Sequence, residues 1–302
     1  MPFFAPPPRI GTEVFTRLPD RFRRPRATEW ARWNRGGREI DSFLEGPCFD
    51  ADGRLYVTDI PFGRIFRIAR DGEWEQVAEY DGWPNGLKVA PDGMLLVTDY
   101  KRGLIRVDPA TGAISPLLET ARSEGFKGLN DLALGADGSI FFTDQGQTGL
   151  HDPTGRVYRL WPTGQLQLLI GTVPSPNGIV VARDLSHCLV AVTRANQVWR
   201  LPLHGDGAVT KAGIFIHLHG GPGGPDGLAW DPDGNLLVAH TGVGTIWRFN
   251  ARAEPTLAIV SCAGASTTNL CVGGPDGRDV FITESETGSI LCARLEAPGA
   301  AQ

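Results

Sequence analysis

Six short motifs in this 302-residue chain each put a side-chain oxygen just ahead of an apolar run. They are Glu45 in EGP, Asn85 in PNG, Asn130 in LND, Asn177 in PNG, Asp226 in PDG and Asn269 in TNL. Gathered at one centre, these residues would form an all-oxygen cage with two carboxylates. That suits a hard cation such as Ca2+ or Mg2+ better than metals that prefer nitrogen or sulfur. Opposed carboxylates without a cation would repel each other and shift their pKa values. A divalent ion in such a cage could polarise an ester carbonyl or activate a water. The plainer reading is that Asn and Asp open strands through local hydrogen bonds, and Asn85 and Asn269 are read that way first. Glu45 resists it, because Glu is a poor turn former.

What must position these residues is a repeat. The segments EGPCFDADGRLYVTD, PNGLKVAPDGMLLVTD, LNDLALGADGSIFFTD, PNGIVVARDLSHCLVAVT, PDGLAWDPDGNLLVAH and TNLCVGGPDGRDVFITE align. Each reads as apolar run, tight turn, apolar run, which is a β-hairpin. A third strand follows in GRIFRI, GLIRVD, GRVYRL, QVWRL, GTIWRF and GSILCAR, and EWEQVAEY or QLQLLIG fits a fourth. Four strands per unit, repeated every 40 to 49 residues, is the signature of propeller blades. The spacing predicts an all-β fold: a six-bladed β-propeller with four antiparallel strands per blade around a central tunnel. It forms a single domain over 1–302, with blades from about 41 to 295. The N-terminal segment 1–40 falls outside the repeat, and a strand such as Glu13-Val14-Phe15 could close the ring. The first strand of a blade is the innermost, so the six oxygen-bearing residues should converge at one mouth of the tunnel.

These motifs are similar to those of the regucalcin / gluconolactonase / luciferin-regenerating enzyme family (SMP-30-like propeller lactonases), over about residues 40–295. A more distant likeness extends to diisopropyl fluorophosphatase and paraoxonase. The most specific elements are E-G-P at Glu45, N-D at Asn130, P-N-G at Asn177 and P-D-G at Asp226. The resemblance implies that Glu45, Asn177 and Asp226 hold one divalent metal. Ca2+ is the first candidate, with Zn2+, Mg2+ and Mn2+ the others. Asn130 is then a fourth ligand or a substrate contact. It further implies metal-dependent hydrolysis of a small lactone, a sugar lactone or related cyclic ester. Asp226 would be the proton acceptor or nucleophile, and Asp131 would orient Asn130 or a water at the ion. Sugar-lactone members carry an Arg two residues before the Asn of N-D, where this chain has Gly128. Lys127 beside it is a substrate-contact candidate without being an equivalent, and the departure leaves a non-sugar substrate open. Besides regulatory calcium binding by the same ligands, two other functions fit parts of the pattern. One is an organophosphate or fluorophosphate hydrolase on the same site; the other is a non-catalytic NHL-type docking propeller, which has no need of opposed carboxylates.

Other candidates read as structure. Trp83, Tyr100, Trp161 and Trp230 pack between blades, although Trp83 and Tyr100 flank mouth-side loops and could face substrate instead. The Asp of each T-D pair (Asp59, Asp99, Asp144) serves strand ends. His217 and His219 line a wall or pack on a blade, and His240 is a tunnel or pocket residue. GGPGGPDG lacks a phosphate loop's Lys-Ser/Thr and reads as a flexible loop that could serve as a lid over the site. No G-x-S-x-G or H-E-x-x-H is present. A net charge of −5 argues against nucleic acid despite the run Arg21, Arg23, Arg24, Arg26. No stretch nears the ~18 apolar residues of a membrane span, and MPFFAPPPRI is not a secretory signal. Five cysteines without a C-x-x-C pair read as free buried thiols in a reducing cytoplasm. The expected partner is a small-molecule lactone.

Overall fold

The apolar alternation around each turn folds into six antiparallel four-stranded sheets arranged as a six-bladed β-propeller. The computed structural model describes residues 5–297. Residues 1–4 and 298–302, the outer parts of the expected 1–302 domain, lie outside the described residues. The innermost strands are Leu44–Phe49, Pro84–Val89, Leu129–Leu134, Pro176–Val181, Gly224–Trp230 and Thr267–Gly273. Each packs against the innermost strand of the next blade, and the sixth packs against the first. Among the described residues helix is confined to Glu29–Asn34 and three short 3-10 turns.

Six hydrophobic cores lie between neighbouring blades. Leu87, Val97 and Ile65 meet between the first and second blades, and Leu55, Phe66, Phe281 and Ile290 meet between the sixth and first. Blade is also bonded to blade: Thr58, Thr98 and Thr143 donate their hydroxyls to the carbonyls of Asn85, Asn130 and Asn177 at 2.6, 2.5 and 2.7 Å. The backbone of these three oxygen-bearing residues is therefore held from the blade before each. The hairpin turns place Gly53, Gly93, Gly138, Gly234 and Gly277 at positive φ. The fourth repeat has no such Gly, and Leu185 takes φ 57° there, a conformation a side chain tolerates poorly.

Glu13–Arg17 lies antiparallel to Ser289–Arg294 as the outermost strand of the sixth blade, so one sheet unites strands from both ends of the repeat. Arg9–Gly11 was not expected in a sheet. It adds a fifth, parallel strand to the fifth blade, beside Ala258–Val260. The arginine run ties this segment down: Arg21 donates to the Trp74 carbonyl, Arg23 pairs with Asp41 at 2.7 Å, and Arg26 lies over the Phe62 ring. Helix Glu29–Asn34 starts at Thr28, whose hydroxyl accepts from the Ala31 N–H at 3.0 Å, a standard N-cap. It seats Trp30 and Ala31 on Ile60 and Trp83.

The T-D aspartates bond to strand ends. Asp59 accepts from the Phe43 N–H and the buried Arg64, Asp99 from Lys101 N–H and Tyr80, and Asp144 from Gly128 N–H and Arg156. The cysteines are all unpaired, but only Cys188 is fully buried and Cys262 is exposed, so the expectation of five buried thiols is corrected. Among the described residues no helix is long and apolar enough to cross a membrane.

Candidate active site at the tunnel mouth

In the first five blades the strand register slips just after the oxygen-bearing position: between Glu45 and Cys48, Pro84 and Leu87, Leu129 and Leu132, Pro176 and Ile179, Pro225 and Leu228. A bulge re-aims the side chain beside it. Glu45, Asn85, Asn130, Asn177 and Asp226 accordingly line one cavity of about 790 Å³, together with Tyr100, Gln145, Arg35, Arg194 and His151.

The sixth blade differs. Its slip falls between Thr267 and Asn269, one residue earlier than the repeat alignment implies. Thr268 takes the place of Asn130, and Asn269 that of Asp131. The bonding is the same in both blades. Asp131 N–H and Asn269 N–H donate to Thr143 and Thr283 hydroxyls at 3.0 Å, while each side-chain oxygen accepts from the following N–H at 2.8 Å. Asn269 is thus removed from the cavity ring and set behind it with Asp131. There its amide donates to Glu45 Oε2 at 2.9 Å and lies 3.5 Å from Asp131 Oδ2.

Three buried carboxylates share this centre. Burial, then the Asp131 charge, pushes Glu45 up to about 7 despite bonds from Gly46 N–H and Asn269. Burial, then Glu45 and Asp131, lifts Asp226 well above the carboxylate range, with the Asn177 amide acting against the rise. Asp131 is raised by burial, and Lys88 pulls it back. Lys88 was missed from sequence. Its position pairs with Leu96 as Cys48 does with Tyr56 and Ala133 with Phe141, so a lysine stands in a ring of otherwise small or apolar residues. Burial opposes its charge, but Asp131 above all keeps its pKa above the ordinary value.

Asn130 donates its amide to Gln145 Oε1 at 2.8 Å, and Gln145 donates to Ser175 Oγ at 2.9 Å. This orientation leaves Asn130 Oδ1 as the acceptor. Asn85 Oδ1 is buried without a hydrogen-bond partner, a costly condition for an acceptor unless something else satisfies it. The donor set fits a hard divalent cation: a free amide oxygen, two further Asn and carboxylates that repel one another. Among the described residues no three His, Cys, Asp or Glu side chains form a metal cage by themselves. A cation would depend on the amides, which disfavours zinc.

Trp83 and Lys127 do not line the cavity. Trp83 packs under Tyr100 with ring centroids 5.2 Å apart, whereas Lys127 is exposed. At Gly128 φ is 145°, and a Cβ would fall 2.3 Å from the Tyr100 ring; Tyr100 fills the space that an Arg there would need. His217 and His219 are exposed and stacked on each other rather than lining the site. His240 is buried, bonded through Nδ1 to Trp247, and is not a cavity residue.

Fold and site define a six-bladed propeller with carboxylates and amides gathered at one tunnel mouth beneath a cavity. Residues 43–286 match the family described as the SMP-30/Gluconolactonase/LRE-like region, and the chain belongs to it. It is 30% identical over 218 residues to the gluconolactonase of Zymomonas mobilis, covering 67% of this chain and 60% of that protein. This chain therefore spans less than two thirds of that relative's length. It is 28% identical to the diisopropyl-fluorophosphatase of Loligo vulgaris, covering 82% of this chain and 87% of that one. Among solved structures, the calcium-binding protein regucalcin of Agrobacterium tumefaciens superposes with TM-score 0.74 at 22% identity, over 94% of each chain, and shows the shared fold.

Proposed function

We propose that this chain hydrolyses a small lactone at the tunnel-mouth cavity, with a divalent cation, Ca2+ by preference, held by Glu45, Asn177, Asp226 and Asn130. One observation carries the reading: burial, and after it the neighbouring carboxylate charges, raise the pKa values of Glu45 and Asp226 beside buried Asp131 and the unpartnered oxygen of Asn85. A bound cation would relieve that repulsion, draw electron density from the lactone carbonyl and offset the charge developing on its oxygen.

The protein's own groups do the rest. Asp226, a carboxylate in the cavity wall, accepts a proton as water adds to the carbonyl carbon. The ring C–O bond then breaks, and the proton passes from Asp226 to the departing alkoxide, giving the hydroxy acid. Gln145 and Ser175 hold Asn130 in one orientation. Asn269 bridges Glu45 in the cavity wall and Asp131 behind it, fixing both carboxylates.

A fluorophosphate P=O could be polarised at the same place, and the likeness to the Loligo enzyme keeps that reaction second. A docking propeller has no use for three buried carboxylates. A cytoplasmic setting belongs to this proposal and rests on five unpaired cysteines; the net charge of −5 speaks against a nucleic-acid partner. The test is metal analysis of the purified protein, then a panel of lactones and fluorophosphates before and after chelation. Chelator-sensitive lactone hydrolysis is expected. No turnover of any lactone with Ca2+, Mg2+, Mn2+ or Zn2+ added overturns the proposal.

A further inference from the structure

The wall of the same cavity carries two arginines. Arg35 follows the helix Glu29–Asn34, and its guanidinium lies 4.7 Å over the ring of Phe43, another wall residue. Arg194 follows Thr193, whose hydroxyl donates at 2.8 Å to the carbonyl of Pro225, the residue before Asp226. Burial holds the Arg35 guanidinium below its ordinary value, Asp226 and then Glu286 act against that and Arg194 adds to it, while Arg194 favours the charge on Asp226. Both are exposed to solvent on the cavity side.

Elsewhere in the fold arginines near carboxylates are tied to them, as Arg64 is to Asp59 and Arg156 to Asp144. Among the described residues neither Arg35 nor Arg194 has an ion pair or a guanidinium hydrogen bond. Like charges brought together without a partner repel, and a fork of free N–H donors matches a planar or tetrahedral oxyanion. The two cations also answer a problem that the carboxylates create, since Glu45, Asp131 and Asp226 would turn away an anionic substrate.

We propose that Arg35 and Arg194 hold an anionic substituent of the substrate, so the lactone opened here is an acidic one, carboxylated or phosphorylated. This rests on the lactonase reading and names its substrate class. The guanidiniums take over substrate gripping from the place where Gly128 and Tyr100 leave no room for it.

The test compares a neutral γ-butyrolactone with its carboxylated and phosphorylated counterparts, in the Ca2+-loaded full chain and in the Arg35→Gln and Arg194→Gln variants. Wild type is expected to prefer an anionic form in kcat/KM. Each substitution should cut that preference about tenfold to a hundredfold, mainly through KM, as loss of a charge-assisted hydrogen bond does. Calorimetry provides a readout independent of turnover. The ring-opened dicarboxylate of the carboxylated lactone should bind wild type at least about tenfold tighter than the monocarboxylate of the neutral one, and both variants should lose that margin. Equal handling of charged and neutral compounds, or variants that weaken both alike, overturns the assignment. If no lactone is turned over, the function proposed above fails, while the calorimetric ratio still decides the role of the arginines.

Discussion

Replacing Glu45 by Gln should have opposite effects with and without a cation. The Glu45 carboxyl ordinarily titrates near 4.5, and in the fold it is pushed up to about 7. Ionising it in place therefore costs about 3 kcal/mol. The folded state keeps a proton that the unfolded chain releases between those values, so metal-free stability falls as pH rises through that window. At pH 8 in chelator the parent bears the whole cost and Glu45→Gln bears none. Gln Oε1 can still accept from Gly46 N–H and the Asn269 amide, which preserves the local bonds. For a 302-residue chain, the variant should then melt roughly 5 °C higher than the parent. In Ca2+ the order should close or reverse, because a cation present at a hundred times its Kd adds about 2.7 kcal/mol to a protein with an intact site and far less to one lacking a ligand. Thermal denaturation followed by circular dichroism at pH 8, in chelator and in Ca2+, measures both arms. A variant no more stable than the parent in chelator would show that Glu45 is not electrostatically strained. An equal gain in Ca2+ would show that Glu45 is not a ligand.

Asp226→Asn should lower kcat by about a hundredfold to ten-thousandfold, the usual range for a lost general base, while the circular dichroism spectrum stays that of the parent; near-normal turnover removes Asp226 from the chemistry. The parent in chelator should lose stability between about pH 4.5 and about pH 7, and Glu45→Gln should lose less; parallel pH profiles refute the shift assigned to Glu45. Gly128→Ala should cost about 2 kcal/mol, from positive φ and contact with Tyr100. Part of that cost should return in the Tyr100→Ala background, and a neutral Gly128→Ala in chemical denaturation would refute the packing argument.

The propeller was legible because its information is periodic. Asp-Gly turns, apolar runs of strand length and a steady spacing agree in six copies, and the structure differs only where a copy is irregular. The sixth repeat is one such copy: the Gly273-Gly274 turn shifts the hairpin by one residue, and Asn269 moves from the ring to the position of Asp131. Lys88 and Arg194 left traces that were overlooked, a lysine among small and apolar equivalents and a Thr-Arg where the first three repeats read Thr-Asp. Arg35 and the strand Arg9–Gly11 left none. They sit in the non-repeating segment, where no period sets register or direction. Trp83 and Lys127 show the same limit, since neighbouring the mouth in sequence does not decide which way a side chain turns.

Val14 pairs with Leu291, so the ring is shut across nearly the entire polypeptide. Joining points so distant costs about 5 kcal/mol of chain entropy, recovered only once the sixth sheet zips. The clasping segment also carries Trp30, Asn34 and Arg35, the roof of the cavity. During biosynthesis an early-made stretch must therefore wait for a late-made one before the ring closes. In a refolding time course, turnover should emerge with the final clasp and not with the blades that form before it.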